Sequence, residues 1–140
     1  MQKEVIKLYN DRDDVTLTSY VIDPIRTSNV NIERPAVIIC PGGSYMYCSD
    51  REAEPVALAF NAMGFHAFVL RYSVYGQGKT TAEIIAEGQF PVKPDVIFPH
   101  ALQETAKAFE ILHQYATEWR IDTDKIGLAG FSAGGHNTGM

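Results

Sequence analysis

The chain has 140 residues, 46% of them hydrophobic and 11% aromatic, and a net charge of −5. That length and apolar content suit one globular domain with its own core, while the acidic balance and scattered Lys and Arg exclude the basic footprint of a nucleic-acid binder. No stretch approaches the ~20 apolar residues of a membrane span, and residues 1–7 lack the apolar run of a secretory signal, so a cytoplasmic protein is expected.

Residues 5–9 and 15–22 are rich in β-formers and flank the polar run 10–14, which predicts an antiparallel hairpin. Residues 23–34, with Pro24, Ser28 and two asparagines, read as a loop. Residues 36–40 are an unbroken apolar run ending in Pro41-Gly42-Gly43, the pattern of a strand covered on both faces. Asp50 is placed to cap a helix from Arg51 to Met63 that presents Val56, Phe60 and Met63 on one face and stops at Gly64. Residues 65–74 predict the next strand, and residues 100–118 a second helix striped by Leu102, Ala106, Phe109 and Leu112. Residues 121–124 read as a polar turn before a last apolar strand over 125–129. Strands alternating with helices in this way predict a mostly parallel sheet with helices on both faces.

The segment 75–98, with three glycines, two prolines and a short candidate helix at 81–87, is long enough to cover a pocket or to be a plain surface excursion. Cys40 closes an apolar run and Cys48 falls in a polar loop, so two free thiols are expected. Neither has metal-ligand spacing with a histidine, and no metal or cofactor is expected.

The chemistry lies at Gly130-Phe131-Ser132-Ala133-Gly134, a G-x-S-x-G between an apolar strand and a run of small residues. In that context the serine sits on a strand-to-helix turn so sharp that its oxygen is exposed, and the glycines keep neighbouring side chains away. Acyl transfer needs a nucleophile and donors for the oxyanion of the tetrahedral intermediate. Ser132 supplies the first. The Ala133 N–H, at the start of the following helix, supplies one donor. The loop Pro41-Gly42-Gly43-Ser44-Tyr45, whose glycines permit close backbone approach, supplies others.

Four blocks run in the same order as in bacterial α/β-hydrolases of the acetyl-esterase and xylan-esterase type: Cys40 to Tyr45, Arg51 to Ala57, Gly64 to Tyr72, and Gly127 to His136. The chain resembles the N-terminal half of such an enzyme over nearly its whole length. The resemblance implies an α/β-hydrolase fold with an N-terminal antiparallel hairpin, seen here as the first part of a single domain (residues 1–140) that stops just after the nucleophile elbow. It also makes Ser132 the nucleophile, and the N–H groups of Gly43, Ser44 and Ala133 the oxyanion hole. Pro41 departs from the histidine of relatives with His-Gly-Gly-Gly, and Ser44 replaces a third glycine. The implied substrates are small-molecule short-chain or carbohydrate-linked acyl esters.

The remaining histidines do not complete a triad. His136 lies one helical turn past Ser132 and stacks beside it, while His66, His100 and His113 sit at a strand start, a helix start and a helix flank. This fold orders its triad as Ser, acid, His, so the acid and the base are expected beyond Met140. The 140-residue segment alone is therefore expected to be poorly stable and without meaningful turnover, its last strand an unpaired sheet edge. A peptidase, a lactonase or a non-catalytic protein on the same fold stays open, as does homo-oligomerisation; no membrane partner is expected.

Overall fold

The computed structural model describes residues 1–24, 32–42, 48–73 and 100–131. Five strands, β1 (Gln2–Tyr9), β2 (Arg12–Val21), β3 (Arg34–Cys40), β4 (His66–Arg71) and β5 (Ile121–Gly130), form one sheet in the order β1-β2-β4-β3-β5. The helices are α1 (Glu54–Ala62), α2 (His100–Gln114) and the single turn α3 (Ala116–Trp119). β1 and β2 form the expected hairpin, turned by Asn10-Asp11 alone, since Arg12 already pairs with Tyr9. β2 runs antiparallel to β4, whereas β4, β3 and β5 are mutually parallel. This is the α/β-hydrolase arrangement of a mixed sheet with an antiparallel leading hairpin.

Period-two alternation sends each strand's side chains to two separate cores. Leu17, Ile38, Cys40, Phe68 and Leu70 pack on one face beneath Ala108, Leu112 and Trp119 of α2 and α3. Val37, Ile39, Ala67 and Val69 pack on the other, beneath Ala57 of α1. Because β3 and β4 are covered on both sides, their runs are continuously apolar. β5 closes the sheet order with β3 as its partner among the described residues, and its side chains are only partly covered.

Several boundaries differ from the sequence reading. The helix expected from Arg51 is interrupted: Asp50–Glu52 form one 3₁₀ turn, Ala53 breaks it, and α1 starts at Glu54 with Pro55 in its first turn. Pro is tolerated there because its missing N–H would be unpaired anyway. Met63 does not join the buried face and is 62% exposed. α1 ends as Gly64 predicts, with φ of 91°. Gly64 N–H returns to the Asn61 carbonyl and Phe65 N–H to that of Phe60, while the Phe60 and Phe65 rings meet edge-to-face at 5.7 Å; this is the Schellman pattern.

α2 is rotated from the expected stripe. Ala101, Glu104, Thr105, Ala108 and Leu112 are buried, Leu102 and Phe109 are half-buried and Ala106 is exposed. The helix breaks at Tyr115, before the one-turn α3. The polar turn at 121–124 turns out to lie inside β5 as a bulge. Arg34 pairs with Ile121 and Ala36 with Ile126, so residues 122–125 face Pro35 alone. Proline, which has no N–H for the ladder, is suited to that place. The predicted segment 75–98 lies outside the described residues, as does the helix after Ser132.

Candidate active site

The site must be built from the ends of β3 and β5. These strands run parallel in register, with Val37 beside Gly127, Ile38 beside Leu128 and Cys40 beside Gly130. The ladder runs one residue further, since Phe131 N–H donates to the Cys40 carbonyl at 3.2 Å. Loop 41–42 and residue 131 therefore leave the sheet together, from neighbouring strands and at the same end. α1 follows β3 on one face and α2 enters β5 from the other. Such a reversal is where open α/β sheets bind ligands, in the crevice at the carboxyl ends of the strands.

The four residues assigned chemical roles, Gly43, Ser44, Ser132 and Ala133, lie outside the described residues. Gly42 and Phe131 are the described residues that abut them.

The start of the glycine loop is tied down by groups the sequence reading missed. Gly42 N–H donates to Glu52 Oε2 at 2.7 Å, and the Gly42 carbonyl accepts from Ser49 N–H at 2.8 Å. The carbonyl of Pro41 accepts from the Tyr72 hydroxyl, which rises from the core just beyond β4. In a helix running from Arg51, Glu52 would be only a favourable first-turn charge. Pro55 was the available signal that the helix starts later and that Glu52 is free to turn back.

A second buried polar cluster fixes the chain as it leaves β4. Glu104 on α2 is fully buried and accepts from Ser73 N–H at 2.7 Å, from the Ser73 hydroxyl at 2.5 Å and from the Tyr9 hydroxyl at 3.1 Å. Burial, with the Glu104 charge behind it, pushes the Tyr9 phenol up to about 12, so it remains a donor.

His66 opens β4 beside Ala36, four residues upstream of Cys40 on β3. At about 3.3 Å per residue that is some ~13 Å from the end of the sheet where the candidate site lies. Its Nδ1 accepts from Ile22 N–H at 3.0 Å. Burial pulls the imidazole down to about 4, aided by the Arg120 and Arg34 charges and opposed by the Arg120 carbonyl. It is a neutral, buried core group. His113 is exposed near the end of α2, and the His100 side chain and His136 lie outside the described residues. Thus no histidine among the described side chains reaches the site.

Cys40 and Cys48 are not joined in a disulfide. Cys48 is not simply a loop residue: it packs against the core, its thiol faces the Tyr72 carbonyl at 3.9 Å, and burial pushes it up to about 12. A thiol held protonated in this way is a poor nucleophile. No group of His, Cys, Asp and Glu suited to a metal occurs among the described residues.

The sequence matches the BD-FAE family over residues 23–140. The chain belongs to the BD-FAE family. Its fold matches MGS-M1, an α/β-hydrolase enzyme from a Medee basin deep-sea metagenome library, with a TM-score of 0.79 and 41% identity over 98% of this chain and 49% of that one. The carboxylesterase Cest-2923 of Lactobacillus plantarum WCFS1 matches with a TM-score of 0.78 and 31% identity, over 98% of this chain and 44% of its own. An acetyl ester-xyloside bifunctional hydrolase of Caldicellulosiruptor lactoaceticus matches with a TM-score of 0.72 and 29% identity, over 96% of this chain and 44% of its own. The BD-FAE chain therefore spans about half the length of the hydrolases it resembles. No helix among its described residues is long and apolar enough to cross a membrane.

Proposed function

We propose that this BD-FAE chain is part of a serine carboxylesterase that cleaves short-chain or carbohydrate-linked acyl esters through an acyl-enzyme on Ser132. The observation behind this reading is the in-register pairing of β3 with β5, extended by the Phe131 N–H to the Cys40 carbonyl. It brings Gly42 and Phe131, the described residues that precede Gly43 and Ser132, out of the sheet from neighbouring strands at the same end. Kinship with a carboxylesterase and with an acetyl ester-xyloside hydrolase supports an acyl ester, with a sugar as one class of alcohol.

In the proposed reaction Ser132 Oγ attacks the ester carbonyl while a histidine from outside the described residues takes its proton. The charge that develops on the carbonyl oxygen is met by the N–H groups of Gly43, Ser44 and Ala133. Fixed amides stabilise that charge without reorganising, and losing one donor costs ~2.7–4 kcal/mol of transition-state stabilisation. The alcohol leaves with a proton returned by the histidine, and water then releases the acid by the same steps in reverse. Gly42 N–H is already taken by Glu52, which directs the donor role to the amides that follow it.

The test is hydrolysis of p-nitrophenyl acetate and of an acetylated xylo-oligosaccharide by the full-length protein. Both activities should fall by about a millionfold in Ser132→Ala. Turnover that survives this substitution would refute the serine mechanism.

A further inference from the structure

Glu52 stands out among the groups that hold the start of the glycine loop. Ser49 contributes only its backbone, and Tyr72 belongs to the core. Glu52 is a half-buried carboxylate on a single 3₁₀ turn, where its side chain could point to solvent without penalty. It instead turns back ten residues to the Gly42 amide. The turn that carries it is pinned by Glu52 N–H to the Ser49 carbonyl at 3.1 Å and Ala53 N–H to that of Asp50 at 3.3 Å. Ser49 N–H in turn holds the Gly42 carbonyl, so one small turn grips Gly42 by both its N–H and its C=O.

We infer that Glu52 is a positioning residue for catalysis: by holding the Gly42 amide it fixes the direction in which the chain enters the oxyanion loop. This assignment rests on the serine-esterase reading above. Glu52 does not touch the reacting atoms. Its effect would pass along the chain to the next peptide, which carries the Gly43 N–H and whose carbonyl, that of Gly42, Ser49 N–H already holds. A carboxylate makes a stronger bond to an amide than a neutral oxygen does, but a Gln carbonyl at the same place preserves the direction. Alanine releases it.

The experiment compares wild type, Glu52→Gln, Glu52→Asp and Glu52→Ala in the full-length protein. It reads kcat and KM on p-nitrophenyl acetate, fluorophosphonate labelling of Ser132, and the melting temperature. Misplacing a catalytic group by ~1 Å costs about a hundredfold, so Glu52→Ala should lose roughly 10- to 100-fold, mainly in kcat. Glu52→Gln should stay within about threefold of wild type, with Asp, one methylene shorter, between the two. Labelling rates should fall in the same order at unchanged melting temperature. If Ala fails to fold, the Asp and Gln variants decide. An Asp variant within twofold of wild type, or a Gln variant as slow as Asp, would overturn the role, as would a loss confined to KM. A labelled wild type with fully active Glu52 variants leaves the esterase reading standing and removes this inference. An unlabelled wild type removes both.

Discussion

Replacing Glu104 gives the sharpest stability contrast in the fold. Its carboxylate has no exposure and accepts three hydrogen bonds that join α2 to Ser73 beyond β4 and to Tyr9 in β1. Glu104→Ala strands the amide and hydroxyl of Ser73, both buried, together with the half-buried Tyr9 hydroxyl. At ~1–3 kcal/mol for each buried donor left unmet, and with hydroxyls free to rotate, the loss should be about 2–5 kcal/mol. Glu104→Gln keeps one oxygen for the Ser73 amide and offers an NH₂ to two hydroxyls that can also accept, so it should cost about 1 kcal/mol. Urea unfolding of the full-length protein measures both. Melting temperature should fall by roughly 2–4 °C per kcal/mol in a domain of this class. Equal losses in the two variants, or an alanine loss below about 1 kcal/mol, would show that the cluster does not hold α2 to the sheet.

His66 should impose a pH dependence on stability. Its folded value, about 4, lies below the ordinary ~6.5 of a histidine in the unfolded chain, so the unfolded state takes up the proton first. The stabilisation is complete above ~6.5 and is lost as pH falls towards 4, by at most about 3 kcal/mol. Urea midpoints between pH 7.5 and 4.5 should fall more steeply in wild type than in His66→Gln; identical slopes would refute this. Cys48, raised to about 12 by burial, should resist iodoacetamide at pH 7.5 in the native protein and react in urea. Peptide mapping reads this directly, and rapid native alkylation at Cys48 would contradict it.

The sheet was legible because its signals are local and strong. The unbroken run 36–40 and the alternating hairpin mark strands whatever else the chain does, and Gly64 marks a helix end that only a residue tolerant of positive φ favours. The bulge at 122–125 was misread as a turn before the strand, because an Asx-like turn, Asp124 N–H onto Asp122 Oδ1, looks the same inside a strand as outside one. α2 was rotated in the reading because Glu104 and Thr105 count as polar in a periodicity argument. They are buried here through partners 31 residues away at Ser73 and four residues back at Ala101. At the candidate site, spacing pointed to Ser132 and Ala133 and the family resemblance added Gly43 and Ser44, all of which lie outside the described residues; the supports of the neighbouring Gly42 were not legible. Glu52 and Tyr72 act through contacts 10 and 31 residues distant, which no local pattern encodes.

Brief exposure of the full-length protein to p-nitrophenyl acetate, acid quenching and mass spectrometry of the peptide spanning residues 126–140 would observe the acyl group itself. Acetylation at Ser132, absent in Ser132→Ala, is the expected result. Rapid turnover with that peptide unmodified and with activity retained in Ser132→Ala would contradict the assignment of the nucleophile.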